Sequence, residues 1–363
     1  MPEPQAIPCT WMRGGTSKGA FFLQEDLPTE IAERDALLLS VLGSPDPRQI
    51  DGIGGADPLT SKVAMVSRSM REGVDVDYLF LQVFVDQPIV TDTQNCGNIL
   101  SGVAQFAAEK KLIKLDEGST DVKVYLVNSA QVATVTIQTP GRAVTYAGDA
   151  CIDGVPGRAA PVLQNFPEAS GSSCGALLPT GNAVDVIDGV EVTCIDNGMP
   201  VVVLRAEDLG ISGSESREEL DGNEALKQKL ESIRLQVGPL MNLGDVREKS
   251  VPKMTLVSPP SNGGAITTRT FIPHRCHASI GVLGAVSVAT ACMFTESPAG
   301  QLAELPEGAE LTVSVEHPLG ETSVIMDVCW KGGTLNVRKA AILRTARKLF
   351  EGVVYFDNLD GCN

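Results

Sequence analysis

Metal-binding and disulfide patterns are missing from this sequence of 363 residues. Only three histidines occur, His274, His277 and His317, and none belongs to an HExxH pattern. Nine cysteines are present, an odd number, and no two of them have the CxxC spacing. We therefore expect neither a zinc site nor a disulfide framework. Free thiols in a chain without a recognisable signal peptide predict a reducing, cytoplasmic location.

Blocks of positive charge and long apolar runs are missing as well. The formal net charge is −16, and no cluster of lysine and arginine stands out against it. Nucleic acid and anionic membranes are therefore not expected as partners. No run reaches the ~20 apolar residues that span a bilayer. The longest candidate, residues 280–294, is predicted to be a buried helix.

Aromatic residues make up only 4% of the chain, whereas glycine occurs 36 times. Small residues at this frequency predict elements whose backbones approach closely. The length and the hydrophobic content of 43% favour two domains of similar size. We place them at residues 1–183 and 184–363, joined through a loop-like stretch over residues 155–175.

The first glycine-rich loop, residues 13–19, lies between two short apolar strands. It brings two cations, Arg13 and Lys18, and two hydroxyls, Thr16 and Ser17, to one place. The order GxxxxGK[ST] of a phosphate loop is absent, so a carboxylate site and an ordinary β-turn are both consistent with the pattern.

Two reactive side chains follow in the first half. Lys62 ends a second glycine-rich loop without the GxGxxG register and precedes an apolar strand, where it either reaches solvent or acts as a base in a dry pocket. Cys96 follows the strand predicted over residues 76–85 and precedes a helix predicted over residues 99–112. A thiol at a helix start loses its proton readily, although most free cysteines are simply small core residues.

The second half repeats this organisation. A strand pair, residues 253–257 and 265–271, leads into a polar loop with His274, Arg275 and Ser279, and a helix of small residues is predicted over residues 280–293. Two helix starts that face one cleft would form an anion pocket. Helices are also predicted over residues 31–42 and 219–237, and a strand over residues 143–147.

Seven motifs give the chain a specific resemblance along nearly its whole length. They are MRGGTSKG (12–19), GGADPLTSK (54–62), QNCGN (94–98), SCGALLP (173–179), IDNGMP (195–200), MNLGD (241–245) and the stretch 272–291. The chain resembles the PrpF family of the diaminopimelate-epimerase-like superfamily. The resemblance implies an α+β fold of two similar domains, each a β-barrel-like sheet wrapped around a central helix. It also implies an active site in the interdomain cleft, no cofactor, and catalytic roles for Lys62 and Cys96.

The activity that the resemblance implies is isomerisation of an unsaturated di- or tricarboxylate. Its first form is keto–enol tautomerisation of an oxo-tricarboxylate of the 4-oxalomesaconate type, as in bacterial breakdown of gallate. A 1,3-allylic double-bond shift in that substrate, or in one of the aconitate or methylaconitate type, is the alternative. The substrate carboxylates are expected on nine residues: Arg13, Thr16, Ser17, Lys18, Asn95, Gly97, His274, Arg275 and Ser279.

Two further interpretations stay open. A carboxylate-binding protein without turnover could share the fold, although it would be free to lose Lys62 or Cys96. An amino-acid epimerase would need a second cysteine at the second helix start, where this chain has Ser279, with Cys276 just upstream. We also expect a small-molecule substrate as the partner of this chain, and a homodimer.

Overall fold

The computed structural model describes residues 5–92, 95–166, 170–308 and 310–356. Gln94, part of one of the motifs above, lies outside these ranges. The chain divides into two compact units. The first unit contains the described residues up to Gln164 and again from Arg344, and the second contains Asn165–Leu343.

The strands and helices are numbered here in chain order. The strands are β1 (Gln5–Gly14), β2 (Ser17–Leu23), β3 (Lys62–Arg68), β4 (Val76–Val83), β5 (Val90–Thr91), β6 (Gly118–Leu126), β7 (Gln131–Thr139), β8 (Pro161–Asn165), β9 (Asp185–Ile187), β10 (Val190–Asp196), β11 (Pro200–Arg205), β12 (Lys253–Ser258), β13 (Ile266–Phe271), β14 (Glu310–His317), β15 (Gly320–Lys331) and β16 (Thr334–Phe356). The α-helices are α1 (Ile31–Leu42), α2 (Gly97–Glu109), α3 (Arg217–Gly222), α4 (Glu224–Leu240) and α5 (Val282–Ala291).

In the first unit the strands close around α2. Their order is β1-β2-β3-β4-β6-β7-β8-β16, and β16 also pairs with β1. The helix contacts β1, β2, β3, β4 and β7, and every residue from Ile99 to Ala107 is buried. Glycine and alanine in α2 allow this close enclosure by the sheet.

The second unit repeats the strand order of the first. Its sheet runs β16-β15-β14-β13-β12-β11-β10-β9 around α5, all of whose residues are buried. Antiparallel and parallel neighbours alternate along β1-β2-β3-β4-β6-β7 and along β10-β11-β12-β13-β14-β15: β2/β3 and β4/β6 are parallel in the first unit, and β11/β12 and β13/β14 are parallel in the second. The predicted barrel-like sheet around a central helix is confirmed, and so is the repetition.

A second core layer lies outside each sheet. In the first unit α1 packs on a cluster that includes Val63 and Met65 of β3. Because side chains alternate along a strand, Lys62 and Ala64 point to the opposite face, toward α2. In the second unit α4 packs on a cluster that includes Met254 and Leu256 of β12, so Lys253 likewise points toward the face of the central helix.

The unit boundary differs from the predicted division at residue 183/184. The chain enters the second unit at Asn165, and the stretch predicted as a loop contains β8. The end of the chain returns to the first unit, because the second half of β16 pairs with β1 from Gly14↔Ala346 to Gln5↔Phe356. A contiguous division cannot describe such a returning strand.

Local predictions differ from the structure at several ends. The helix predicted over residues 219–237 is two helices, because Ser216 forms a capping box for α3 and the Asn223 side chain caps α4. Residues 143–147 are not a strand: Thr145 N donates to Gln138 O and Ala160 N donates to Tyr146 O, without a ladder. Helix α5 begins at Val282 rather than at residue 280, with Gly281 as its N-cap.

Within the described ranges, none of the helices combines the length and the apolar character that crossing a membrane requires.

Candidate active site

Cys96 is the N-cap residue of α2, with an extended backbone at φ −132° and ψ 98°. Its carbonyl accepts the first helical bond from Leu100 N at 3.0 Å and a second from the Tyr78 hydroxyl at 3.2 Å. Its own side chain makes no capping bond, and the first turn contains no acidic residue. The positive end of α2 is therefore uncompensated by these groups. The prediction that Cys96 lies at a helix start is confirmed.

The turn between β1 and β2 lies directly on this helix start. Asn98 Nδ2 donates to Thr16 Oγ1 at 3.1 Å. A β-carbon at Gly14 would stand 2.3 Å from the Asn98 carbonyl oxygen, and one at Gly15, where φ is +52°, would stand 2.1 Å from Asn98 Oδ1. Only glycine fits both positions, which explains the Gly14-Gly15 pair in the sequence.

Three cations lie in register beside this turn. Arg13 of β1 pairs with Lys18 of β2 on one side and with Arg347 of β16 on the other. The Arg13 Nη1 donates to the carbonyls of Gly15 and Thr345, both at 2.9 Å, and to Thr345 Oγ1 at 3.0 Å. Burial, together with Arg347, lowers the pKa of Arg13. Arg13 therefore holds the turn to β16, in addition to the role predicted for it in anion binding.

Several buried polar atoms at this end have no hydrogen-bond partner among the described residues. They include Ser17 Oγ, in a residue that is only 1% exposed, and the side-chain oxygens of Asn95 and Asn98. Buried polar atoms are nearly always satisfied in native proteins, so these atoms are available to water or to a ligand.

Lys62 is the first residue of β3 and is 7% exposed. Its Nζ donates to Gln82 Oε1 at 2.7 Å and lies 5.1 Å from the centroid of the Phe80 ring. The boundary lysine is therefore held inward and does not extend into solvent.

The strand register connects Lys62 to the hairpin turn. Gly19 of β2 pairs with Lys62, and β2 begins only two residues earlier, at Ser17. Thr16, immediately before it, contacts Asn98. Lys62, Ser17 and the start of α2 with Cys96 thus lie at one end of the first unit.

The polar loop of the second unit is organised around Ser279. Its backbone N donates to His277 Nδ1 at 2.8 Å, and its hydroxyl lies 3.2 Å from His317 Nε2. His317 is buried at the end of β14, 38 residues further along the chain, and was not among the predicted site residues. No local motif marks it, because the contact depends on the return of β14 to the sheet.

His274 and Arg275 are exposed. His274 Nδ1 lies 3.7 Å from Glu231 Oε2 of α4, whereas the described contacts of Ser279 are with His277 and His317. Cys276 is buried, and this burial, with a smaller effect of Asp221, raises the pKa of its thiol to about 11. A neutral, buried thiol here agrees with the expectation against a pair of reactive cysteines.

Two further motifs meet in the second unit. Asp196 at the end of β10 is fully buried, and its Oδ2 accepts from Ser173 N at 2.7 Å and from Cys174 N at 2.8 Å. The next turn contacts α5, because Asn197 N donates to Ser287 Oγ, which in turn donates to the Met199 carbonyl. Asp196 therefore fixes the loop at residues 173–174 to the hairpin that contacts the central helix.

Comparison with known proteins places the chain among isomerases. It is 64% identical over 350 residues to the (4E)-oxalomesaconate Delta-isomerase of Novosphingobium sp. strain KA1, covering 96% of this chain and 97% of that protein. It is 57% identical over 348 residues to the 4-oxalomesaconate tautomerase of Pseudomonas putida, covering 96% of this chain and 95% of that protein. The prediction of an enzyme of the isomerase class is confirmed.

The fold is also similar to that of a known isomerase. The crystal structure of a methylitaconate-delta-isomerase superimposes with a TM-score of 0.85 at 32% identity, over 98% of this chain and 96% of that one. The chain belongs to the PrpF protein family, whose model matches residues 5–357. The family predicted from the sequence motifs is therefore confirmed.

Proposed function

We propose that this enzyme isomerises 4-oxalomesaconate by proton transfer, with Lys62 as the base and keto–enol tautomerisation as the net reaction. The names of the 64% and 57% identical relatives support the substrate. The position of Lys62 supports this proposal most directly. Lys62 is a buried lysine whose hydrogen-bond acceptor is an uncharged amide, and it lies at the same end of its unit as the start of α2.

The chemistry needs only one proton removed and one delivered. The CH₂ of an oxo-tricarboxylate between its ketone and its alkene is acidic, because the charge left on deprotonation spreads into a dienolate. The lone pair of Lys62 Nζ takes this proton. The first-turn amides of α2 and the Ser17 hydroxyl are the groups suited to hold the developing negative charge. Protonation of the dienolate oxygen completes the tautomerisation.

Cys96 acts in this scheme as the partner acid or base of Lys62. Its free thiol lies at the start of α2, at the same end of the unit as Lys62. Cys96 is partly exposed.

The carboxylates of the substrate are assigned to the same end of the first unit. Thr16 contacts Asn98 in the first turn of α2, and Ser17 and Lys18 follow it in the chain. The Asn95 and Gly97 backbone amides flank the N-cap residue Cys96, and Arg13 pairs with Lys18 and adds charge. A protein with a net charge of −16 binds a trianion only where cations converge locally. The roles predicted for His274, Arg275 and Ser279 stay predictions, and alanine variants that raise KM with little change in kcat would support them.

The allylic shift is the second candidate, and the higher identity to a Delta-isomerase favours it. Both reactions share the first proton abstraction. They differ in where the second proton goes: to the enolate oxygen in the tautomerisation, and to the distal alkene carbon in the allylic shift.

The test follows substrate and enzyme in D₂O by ultraviolet absorbance and by NMR. Deuterium at the distal carbon, with a shifted double bond, identifies the allylic reaction, and a dienol without carbon-bound deuterium there identifies the tautomerisation. The variants Lys62→Met and Cys96→Ser are expected to lose at least about 100-fold in kcat. Lys253→Met is the matched control, because Lys253 is an equally buried lysine.

Full-rate turnover by Lys62→Met or by Cys96→Ser would reject the residue assignment. Saturable binding without deuterium exchange would instead support the carboxylate-binding protein considered from the sequence. We also propose that the protein is cytoplasmic and that it forms a homodimer. Sedimentation equilibrium tests the homodimer.

A further inference from the structure

The side-chain amide of Gln82 is held in one orientation by the backbone around it. Its Nε2 donates to the carbonyls of Pro58 at 3.1 Å, Ser61 at 3.0 Å and Val83 at 3.2 Å. An amide nitrogen only donates and an amide oxygen only accepts, so three carbonyls fix which end of the side chain is which. Oε1 must point the other way, and there it accepts the hydrogen bond from Lys62 Nζ at 2.7 Å.

The partner that Gln82 offers to Lys62 carries no charge. Among the described residues, no carboxylate pairs with Nζ. A carboxylate at this distance would strongly favour the protonated ammonium form, whereas an amide oxygen fixes the position of Nζ without the same electrostatic preference. The face of the Phe80 ring limits Nζ from another side. The nitrogen is thus confined by neutral groups.

The second unit provides an internal comparison. Lys253 begins β12 as Lys62 begins β3, each strand is parallel to its preceding neighbour, and each lysine is 7% exposed. Lys62 pairs with Gln82 in β4. In the second unit the pairing of β12 with β13 begins at Met254↔Phe271, and the residue after Phe271 is the apolar Ile272. Without an amide there, Lys253 Nζ donates to the backbone carbonyl of Ser250 at 2.7 Å. The orienting amide is therefore specific to the Lys62 position.

We propose that Gln82 is a positioning residue for the reaction: it holds Lys62 Nζ in place through a neutral acceptor whose own orientation is fixed by three backbone carbonyls. This inference rests on the proposed role of Lys62 as the base. Gln82 itself does not exchange a proton.

Other titratable groups near Lys62 also contribute to its electrostatic surroundings, and their contributions must be measured separately from that of Gln82. The elements packed against β3 contribute Lys18 of β2, Asp77 and Tyr78 of β4, Cys96 and Glu109 at the two ends of α2, and Glu25 and Asp26 in the turn after β2. Burial raises the pKa of Tyr78 well above its ordinary value, so Tyr78 stays neutral in the working range. Repeating the NMR titration of Lys62, described below, in a Cys96→Ser background removes the contribution of the Cys96 thiol.

The first experiment compares Gln82→Met and Gln82→Glu with the unmodified enzyme. Gln82→Met keeps the length but withdraws the acceptor, and kcat is expected to fall about 10- to 100-fold with KM nearly unchanged. Gln82→Glu places a carboxylate beside Nζ, and the acidic limb of the kcat/KM profile is expected to move up by about 1–3 pH units. Gln82→Asn, which retracts the amide by one methylene, is the second variant should either of these fail to fold.

The control is Gln49→Met. Gln49 Oε1 accepts from Ala56 N and Ser61 Oγ, so it anchors the same loop without touching Lys62. A purely structural role of Gln82 predicts that Gln82→Glu and Gln49→Met both lower stability and that neither moves the pH limb. That result would overturn the inference.

A measurement without substrate separates the two proposals. In enzyme with ¹³Cε-labelled lysine, the Lys62 signal, assigned by its absence in Lys62→Met, is expected to titrate at higher pH in Gln82→Glu than in the unmodified chain. If this shift occurs while Lys62→Met keeps full turnover, Gln82 positions Lys62 but Lys62 is not the base. If Lys62→Met is inactive and the Gln82 variants change neither the signal nor kcat, the function stands and the positioning role fails.

Discussion

Gly14 lies against the backbone of Asn98, so close that a β-carbon on residue 14 would stand 2.3 Å from the Asn98 carbonyl oxygen. Gly14→Ala is therefore expected to displace the hairpin turn from the start of α2. Because this turn carries Thr16 and Ser17, kcat/KM should fall by about 100-fold, which steady-state kinetics would measure. Gly352→Ala is the control, since a β-carbon on that strand glycine would meet no atom within 4 Å. Equal activity of the two variants would contradict the functional importance of the contact.

A glycine-to-alanine change is expected to have opposite effects on the free energy of unfolding in the two central helices. At Gly102 in α2 a β-carbon would stand 2.9 Å from Cζ of the fully buried Phe21, whereas at Gly284 in α5 the nearest atom is Ile280 Cγ1 at 3.8 Å. Gly102→Ala should therefore lower the free energy of unfolding by about 1–3 kcal/mol through overpacking. Gly284→Ala should raise it by about 0.5–1 kcal/mol through helix propensity. Urea unfolding checks both, and a shared sign would contradict the packing described.

Replacing Lys253 by methionine is expected to stabilise the protein. Burial, and then the charge of Arg234, lowers the pKa of Lys253 from 10.5 to about 8. The unfolded chain therefore binds this proton more tightly, and the folded state is penalised in full below pH ~8. At pH 7 we expect a gain of about 1–3 kcal/mol, reduced by the lost bond to Ser250. The gain should shrink as the pH rises from 8 toward 10.5; a difference independent of pH would count against this explanation.

Glu316, in contrast to Lys253, is expected to stabilise the folded state at neutral pH and to lose this contribution at acidic pH. Its carboxylate is buried and accepts from Ser261 N, Asn262 N and Gly264 N, and from the Thr267 hydroxyl. These hydrogen bonds outweigh the effect of burial and lower its pKa from 4.5 to about 2. The stabilisation is complete above pH ~4.5 and is lost as the pH falls through 2. Glu316→Gln should cost about 2–4 kcal/mol in urea unfolding at pH 7. A gap that stays constant down to pH 2 would refute this origin.

Local signals in the sequence predicted those elements whose ends are fixed by neighbouring residues. Helix α1 was placed correctly at Ile31–Leu42, because Gly43 adopts the left-handed conformation that ends a helix, at φ 79°. The strand pair predicted over residues 253–257 and 265–271 also agrees with β12 (Lys253–Ser258) and β13 (Ile266–Phe271) to within one residue at each end, since turn residues separate the two strands. At both places the chemistry that stops the element lies within a few residues of it.

What the sequence did not reveal depends on pairing between distant segments. Gln82 is twenty residues from Lys62, and only the antiparallel register of β3 and β4 places them together. The contact between Ser279 and His317 likewise needs β14 to return to the sheet. The helix predicted over residues 219–237 failed for a local reason, because the capping role of Asn223 competes with a helical interior role.

The path of β16 sets an order for folding during synthesis. Its second half, from Ala346 to Phe356, is the neighbour of β1, which leaves the ribosome before the other strands of this sheet. The sheet around α2 therefore waits for one of its strands until the second unit has been synthesised. All residues of the second unit, Asn165–Leu343, have been made before that strand is available. The unit that is synthesised first is thus the one completed last.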